Sequence, residues 1–390
     1  MTTFNKLKKL FMLFISLAFL LPNYVQAQDN NHNTSLIELE KLASSNNATA
    51  QFDLGFKYYM GDNVPLNYTK AYYWFNKAAK LGNSKALCYL GDMYYRGQGV
   101  EVNFQKAFDF YTKAEKLNDP YAKVSLGTMY YDGKLVEQNY EKSFEYSKEA
   151  SQQNDPIGIV SLAQFYLSGI GCKQDNEKAL SLLNKVVNTS SYAQLVMGML
   201  YLNGQVVKKD PKKAFDLINK ASSQNLSEAQ YELSFMYLKG SGVKQNIDMA
   251  IKELELSSNQ CYSRAQRDLG VLYLRGIFVK DNPKKGVELL TKASLQNDEK
   301  AQTVLGKLYF NGDNVNQDYT KAFDLLSKAS SKNDPSAQYL LAQMYLEGIG
   351  GASQSFSKAE ELYYEAAKKG NFDAIIKLGQ FYALKNINTI

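Results

Sequence analysis

Apolar and small residues recur along this chain with a period of 36 residues, and tyrosine marks the recurrence most clearly. Ten tyrosines stand 35 to 37 residues apart: Tyr58, Tyr94, Tyr130, Tyr166, Tyr201, Tyr237, Tyr273, Tyr309, Tyr345 and Tyr382. Self-similarity at a period of about 20 to 50 residues is typical of stacked repeats, in which each unit buries its apolar face against its neighbours. The pattern therefore predicts a repeat architecture.

The first half of each repeat has the periodicity of an amphipathic helix. We number a repeat from its first small residue, so that Ala50 is position 1 and Tyr58 is position 9. Position 5 is leucine or methionine, and position 6 is small, most often glycine. Positions 1, 5 and 9 lie one turn apart on a helix and form one stripe, which we expect to be core. Because a glycine inside a helix costs about 1 kcal/mol relative to alanine, we expect a neighbouring helix to approach closely at position 6.

Capping residues divide each repeat into two helices. Position 12 is glycine in nine repeats, from Gly61 to Gly348, as at the C-terminus of a helix. Position 18 is Asn, Asp or Ser, residues that cap the start of the next helix. This second helix carries apolar residues at positions 22, 25, 26 and 29 and ends near position 33, which is mostly Asn or Gly. Each repeat is therefore predicted to be a helix–turn–helix hairpin.

Both ends of the repeat region carry half-repeats, as stacked architectures require. Residues 35–49 align with a lone second helix, opened by the capping box Ser35-x-x-Glu38. Residues 374–390 align with a lone first helix that lacks the glycine of position 12.

The pattern A-x-x-x-L-G-x-x-Y-x-x-G, followed by two K-A pairs, resembles the Sel-one-like repeat, a relative of the tetratricopeptide repeat. The resemblance covers residues 35–390 and implies an all-α fold, a right-handed superhelical α-solenoid of about nine full repeats with terminal half-repeats. It further implies a non-enzymatic scaffold or adaptor that binds a partner protein or peptide, with no universal catalytic residues to transfer. Some members of the family have cysteine-rich hairpins that are each bridged by a disulfide. This chain departs from them, because it has only three cysteines.

Residues 1–27 have the pattern of a signal peptide: Lys6, Lys8 and Lys9, an apolar segment over residues 10–21, and Val25-Gln26-Ala27 as a cleavage site. The apolar segment is too short to span a membrane, so after cleavage we expect no integral membrane segment. Residues 28–34 are predicted to form a flexible tail. The abundance of Asn, Lys and Tyr favours a bacterial source, and we expect a periplasmic or secreted protein.

No motif in the sequence supports a catalytic, cofactor-binding or metal-binding residue. The single histidine, His32, lies in the predicted tail, and no cysteine cluster has zinc spacing. Glycine pairs such as Gly97 and Gly99 imitate a nucleotide-binding fingerprint but lie in the turn between helices, with no strand before them. Two S-x-x-K matches, at Ser241 and Ser355, leave as an alternative a hydrolase of β-lactam or cell-wall-related substrates, although the other elements of that class are absent.

Lysines recur on the second helices, at position 21 (Lys106, Lys213, Lys285, Lys321) and at position 28 (Lys113, Lys220, Lys292, Lys328). A basic ridge could attract nucleic acid or anionic lipid. An acidic residue lies four residues before each position-28 lysine, the favoured order for helical ion pairs. We therefore expect a solvated, charge-balanced face and no nucleic-acid partner.

Glutamine occupies position 2 in five successive repeats: Gln194, Gln230, Gln266, Gln302 and Gln338. In tetratricopeptide-like hairpins the first helices line a concave groove, and position 2 would face it. Carboxamides can donate to and accept from a peptide backbone, so this row is a candidate partner-binding site. The alternative is that glutamine is here only as a good helix former.

The repeat frame separates the three cysteines. Cys172 and Cys88 stand at positions that are apolar in other repeats, while Cys261 replaces the Asn or Gly of position 33. Since packed helices lie about 8–10 Å apart, cysteines several repeats apart are too distant for a disulfide. We expect none to form.

Overall fold

A computed structural model describes residues 35–61 and 64–387 of the chain. These residues form twenty α-helices and no β-strand, which confirms the predicted all-α fold. They divide after Asn246 into two compact units, each a stack of helical hairpins. The predicted signal peptide (1–27) and tail (28–34) lie outside the described residues.

Unit 1 starts with a lone second helix and continues with five hairpins and one further first helix. Within each hairpin the two helices pack against each other, and each hairpin packs on the next. The helices are α1 (Leu36–Ser44), α2 (Ala48–Met60), α3 (Tyr68–Lys80), α4 (Ser84–Arg96), α5 (Phe104–Glu115), α6 (Pro120–Asp132), α7 (Tyr140–Ser151), α8 (Pro156–Ser168), α9 (Asn176–Val186), α10 (Ser191–Asn203), α11 (Pro211–Ser223) and α12 (Ser227–Lys239).

Unit 2 starts with a second helix, continues with three hairpins and ends, among the described residues, with a first helix. Its helices are α13 (Ile247–Asn259), α14 (Ser263–Arg275), α15 (Pro283–Leu295), α16 (Glu299–Asn311), α17 (Tyr319–Ser331), α18 (Pro335–Glu347), α19 (Phe356–Lys368) and α20 (Phe372–Ile387).

The helix boundaries lie where the capping residues predict them. All nine position-12 glycines adopt the left-handed conformation, with φ between 60° and 78°, and follow the last residue of a first helix. At the start of the second helices, side chains such as that of Asn67 accept a hydrogen bond from the amide three residues later, here Lys70 at 2.9 Å. The Ser35 hydroxyl caps α1 in the same way by accepting from the Glu38 amide. Local capping therefore fixes the hairpin frame.

The position-6 glycines allow the second helix of the same hairpin to pack closely, as predicted. A Cβ added to Gly306 would stand 2.8 Å from Cγ of Leu326, and one added to Gly198 would stand 2.6 Å from Cγ1 of Ile218. Since carbon atoms in contact are normally about 3.5–4.0 Å apart, only glycine fits at these crossings.

The tyrosines of position 9 lie at the edge of the predicted core stripe rather than all within it. Three of them, Tyr58, Tyr94 and Tyr273, are buried, and most of the others are half-buried. Their backbone closes the hairpin: the amide of the position-18 residue donates to the tyrosine carbonyl, for example Asn103 to Tyr94 at 2.9 Å. A lysine lies over the ring in most of these repeats.

That lysine is the one at position 21 of the same hairpin. Its Nζ lies over the tyrosine ring in eight repeats, at 4.1 Å for Lys142 over Tyr130 and 4.2 Å for Lys285 over Tyr273. Cation–π contacts at such sites contribute about 0.5–1 kcal/mol each. Two of the ion pairs predicted for the position-28 lysines form, Lys292 with Glu288 and Lys328 with Asp324, and in both the lysine Nζ lies 2.7 Å from a carboxylate oxygen. Much of the lysine pattern therefore serves intramolecular contacts.

The cysteines form no disulfide with one another. Cys88 is buried, and Cys172 and Cys261 are half-buried. The backbone of Cys261 has φ of +61°, the left-handed conformation that Asn and Gly adopt at the same turn in other repeats. No helix among the described residues is both long and apolar enough to cross a membrane.

Candidate functional site

The most unusual chemical environment in the described residues lies on α4, α5 and α6. The carboxylate of Asp92, at position 7 of α4, is only 3 % exposed. Two tyrosines hold it: the Tyr111 hydroxyl donates to Oδ1 at 2.7 Å, and the Tyr121 hydroxyl donates to Oδ2 at 2.6 Å. Tyr111 comes from α5 and Tyr121 from the first turn of α6. The carboxylate therefore ties three consecutive helices together.

Packing on α4 explains how the Tyr111 ring reaches this carboxylate. Gly91 occupies position 6, and a Cβ added there would stand 2.4 Å from Cε1 of Tyr111. The glycine thus leaves the space that the ring fills. The helix then presents the next residue, Asp92, beside the tyrosine hydroxyl.

Burial dominates the electrostatics of this cluster. It raises the pKa of the Asp92 carboxyl above its ordinary value, while the Arg96 charge and the hydrogen bonds from Tyr121 and Tyr111 lower it in part. Burial, and next the negative charge of Asp92, raise the pKa of both tyrosines well above the ordinary value. The tyrosines therefore remain protonated donors at neutral pH.

Arg96 lies one turn after Asp92 and gives the site its positive charge. It is half-buried and lines a cavity of about 20 Å³ together with Asp92, Tyr111 and Tyr121. Among the described residues, no hydrogen bond or salt bridge from its guanidinium is present. A guanidinium carries five N–H donors, and because Arg96 is only half-buried an acceptor from outside can approach part of it.

Neighbouring polar groups extend the site along the first helices. The Tyr95 hydroxyl donates to Oδ2 of Asp132 at the end of α6. Ser125 and Thr128 of α6 also line the cavity. The arrangement is thus a strip of hydroxyls and charges across α4 and α6, two first helices that contact each other.

The geometry suits recognition rather than the binding of a small substrate. A cavity of about 20 Å³ accommodates about one water molecule, whereas small-molecule pockets usually span about 300–1,000 Å³. The described residues also contain no group of three or more His, Cys, Asp or Glu side chains placed to hold a metal ion. What the site offers is a guanidinium backed by a buried carboxylate.

The glutamines predicted to face a groove are buried instead. The side chains of Gln194, Gln230, Gln266, Gln302 and Gln338 are between 1 and 4 % exposed. They bond within the chain: Nε2 of Gln302 donates to the carbonyl of Ser294 at 3.3 Å, and Oε1 of Gln194 accepts from Gln224 at 2.7 Å. Position 2 points into the contact between consecutive hairpins, which the first-helix periodicity does not show. Partner binding by this row stays an untested prediction.

The S-x-x-K serines occupy structural positions. Ser355 caps α19 by accepting a hydrogen bond from the Lys358 amide at 3.3 Å. Ser241 lies in the turn after α12. Of the paired turn glycines, Gly99 has φ of +71° and packs against Tyr68 of the preceding hairpin. These residues therefore have local roles in the hairpins.

Sequence reasoning missed the cluster around Asp92, although one signal was present. Position 7 faces the interior in several first helices and is Phe56, Thr128 or Gln164 in other early repeats. A carboxylate there is a charge on a face that the repeat pattern buries, and buried charges require partners. The partners themselves, from two other helices, were not visible in the pattern.

The Sel1 repeat model matches nine segments of this chain: residues 48–83, 84–119, 120–155, 157–185, 191–226, 227–259, 263–298, 299–334 and 335–371. A Sel1 repeat protein from Oxalobacter formigenes is similar, with 26 % sequence identity over 78 % of this chain and 88 % of that chain, and a TM-score of 0.53. A protective antigen present in uropathogenic Escherichia coli strains, which displays an SLR fold, is 26 % identical over 90 % of this chain and 83 % of its own, with a TM-score of 0.41. No curated protein matches the sequence.

Each matched segment starts at or near a first helix, and most of them end after the second helix that follows in the chain. Sel1 repeat proteins generally mediate protein–protein interaction. Because the Sel1 repeat matches cover well over half of the sequence, this chain belongs to the Sel1 repeat family.

Proposed function

We propose that this protein is an exported, non-enzymatic adaptor that binds a partner protein or peptide on the first-helix strip of α4 and α6. The observation that carries the proposal is the Arg96 guanidinium, which lies beside buried Asp92 without a hydrogen-bond acceptor among the described residues. A guanidinium recognises carboxylates through paired, charge-assisted hydrogen bonds. The partner would therefore present a carboxylate, from an acidic side chain or a chain terminus.

The surrounding contacts favour a defined geometry for this recognition. Tyr111 and Tyr121 fix Asp92, and the charge of Asp92 keeps the guanidinium of Arg96 in place by attraction. The strip also contains the Tyr95–Asp132 pair, which can exchange hydrogen bonds with a peptide backbone. Pre-organised groups bind more tightly because less conformational entropy is lost on association.

Arg96→Gln tests the site, and Arg275→Gln is its matched control because Arg275 occupies the same repeat position, 11, on α14. Photo-crosslinking with the purified chain in an envelope fraction, followed by mass spectrometry, identifies captured proteins. Loss of a charged hydrogen bond of about 1.5–3 kcal/mol should weaken capture roughly tenfold or more for Arg96→Gln only. Equal capture by both variants and the wild type would exclude Arg96 as the anchor.

Export rests on the sequence of residues 1–27, with its lysines, apolar segment and Val25-Gln26-Ala27 site. The test is expression of the full chain in a bacterial host, fractionation, and intact-mass measurement. The proposal predicts a mature protein that begins at Gln28 outside the cytoplasm. Full-length protein retained in the cytoplasm would contradict export without affecting the binding site on α4 and α6.

A further inference from the structure

The turn between α14 and α15, residues 276–282, exposes two large apolar side chains. Ile277 is 40 % and Phe278 is 55 % exposed. The turn is closed at its base, where the Asn282 amide donates to the Tyr273 carbonyl at 3.0 Å. We call residues 276–282 the Phe278 turn. Its two apolar side chains therefore stand on a turn whose backbone is fixed by hydrogen bonding.

Phe278 has a backbone conformation that its side chain disfavours. It occupies position 14 of the repeat, which is left-handed in seven described repeats, with φ between 60° and 74°. Four of these seven residues are glycine, one is Asn314, and the other two are Leu135 and Phe278. Bulky L residues are rare in this region because Cβ comes too close to the backbone. The turn would fold more easily with Gly or Asn at this position, so folding does not explain the phenylalanine.

Glycine at position 14 has a packing role elsewhere in the same unit. A Cβ added to Gly350 would stand 2.3 Å from the carbonyl oxygen of Tyr319, at the start of α17 in the preceding hairpin. At Phe278 this close-fitting glycine is replaced by a ring that is more than half exposed. Phe278 therefore adds apolar surface to the outside of the molecule.

Lysines flank these apolar side chains. Lys280 lies two residues after Phe278, and Lys284 and Lys285 lie in the first turn of α15. Lys280 and Lys284 are exposed and form no hydrogen bond or ion pair with the described residues. Lys285 donates to a tyrosine hydroxyl of α14 at 2.6 Å. Because Asp281 is the only carboxylate in residues 276–285, this segment carries net positive charge.

We propose that the Phe278 turn binds the surface of an anionic phospholipid membrane, with Ile277 and Phe278 inserted among the lipids and the lysines beside the phosphates. Apolar side chains next to lysines are typical of elements that lie in the membrane interface. Each lysine near an anionic lipid surface adds to the attraction. A protein partner fits less well, because stable interfaces bury about 800 Å² on each side and two side chains of one turn offer far less.

Sedimentation with lipid vesicles tests the proposal on the chain that begins at Gln28, which lacks the apolar segment of residues 10–21. The vesicles contain equal amounts of phosphatidylglycerol and phosphatidylcholine, and vesicles of phosphatidylcholine alone are the neutral control. The chain should bind the anionic vesicles at least tenfold more tightly, and added salt should weaken this binding. Equal binding to both kinds of vesicle, or binding to neither, would overturn the proposal.

Phe278→Asn removes the ring without disturbing the turn, because Asn314 has the same conformation in another repeat. This variant should bind anionic vesicles roughly tenfold more weakly, while its melting temperature stays the same or rises. Leu135→Asn is the matched control. Leu135 has φ of +69° and is 49 % exposed, but it lies between the acidic residues Asp132 and Glu137. Vesicle binding of the control should equal that of the wild type.

The double substitution Lys280→Gln, Lys284→Gln tests the electrostatic part of the proposal. It should weaken binding to anionic vesicles at least tenfold and reduce the effect of salt. If Phe278→Asn reduced the capture of proteins from an envelope fraction and left vesicle binding unchanged, the proposal would be overturned and the turn assigned to a protein partner. The site at Arg96 is a separate one, so Arg96→Gln should bind vesicles as the wild type does.

Discussion

Replacement of Gly91 by alanine tests both the packing of the hairpins and the buried cluster that depends on it. The new methyl group would stand 2.4 Å from Cε1 and 2.7 Å from Cδ1 of Tyr111. Contacts between carbon atoms are normally about 3.5–4.0 Å, so the ring has to move by about 1 Å. Tyr111 is only 2 % exposed, and it cannot swing into solvent without breaking its bond to Asp92.

The expected loss of stability follows from three contributions. Overpacking of a filled core costs about 1–3 kcal/mol. Weakening a hydrogen bond to a charged group costs about 1.5–3 kcal/mol. Alanine regains about 1 kcal/mol of helix propensity over glycine. The free energy of unfolding of Gly91→Ala should therefore fall by about 1.5–5 kcal/mol.

Urea denaturation followed by far-ultraviolet circular dichroism measures this change, and hydrogen exchange shows whether the loss lies in α4–α6. The local readout matters because repeat proteins need not unfold in one step. Gly379→Ala is the matched control: it has the same repeat position but open space around it, and should be neutral or stabilising by up to about 1 kcal/mol. If Gly91→Ala matched or exceeded the wild type in stability, close packing would not be the reason for glycine at position 6.

Three further outcomes are expected. Gln302→Ala should lower the free energy of unfolding by about 1–3 kcal/mol, because a buried amide that donates to the Ser294 carbonyl is lost. Gln105→Ala, at an exposed position, should change it by under about 0.5 kcal/mol. Equal effects would contradict a structural role for the buried glutamine. Burial raises the folded-state pKa of Asp92, so the contribution of this carboxyl to the free energy of unfolding is greatest at low pH and falls as pH rises from about 4. Asp92→Asn should remove this contribution from the pH dependence of the free energy of unfolding, measured by denaturation at a series of pH values. An unchanged pH dependence would argue against a buried carboxylate. In alkylation of the folded, unreduced protein mapped by mass spectrometry, Cys261 should react first and Cys88 last, because Cys88 is 1 % exposed and burial raises its pKa; a disulfide between these two would refute the repeat register.

The sequence by itself determined the hairpin frame. The glycine of position 12 and the Asn, Asp or Ser of position 18 act on backbone groups within one helical turn, so their effect can be read from the residue order. Gly61 and Asn67 bound the first turn as predicted, and the same pair of signals recurs in later repeats. The close approach at position 6 was predictable for a related reason, since a repeated helix-interior glycine needs a packing cause.

The tertiary structure alone decided which polar side chains are buried together. Tyr111 and Tyr121 lie 19 and 29 residues from Asp92, and they meet it only because α4, α5 and α6 pack side by side. The same contact between consecutive hairpins buries Gln302, which helical periodicity placed on an open face. The periodicity of apolar residues shows which face of a helix is the most apolar. It does not show which other faces are buried, because a helix in a stacked array is covered from several directions. Whether a polar side chain is buried therefore depends on neighbours more than a full helix away in sequence. The pKa of Asp92 and the availability of Arg96 to a partner depend on the same neighbours.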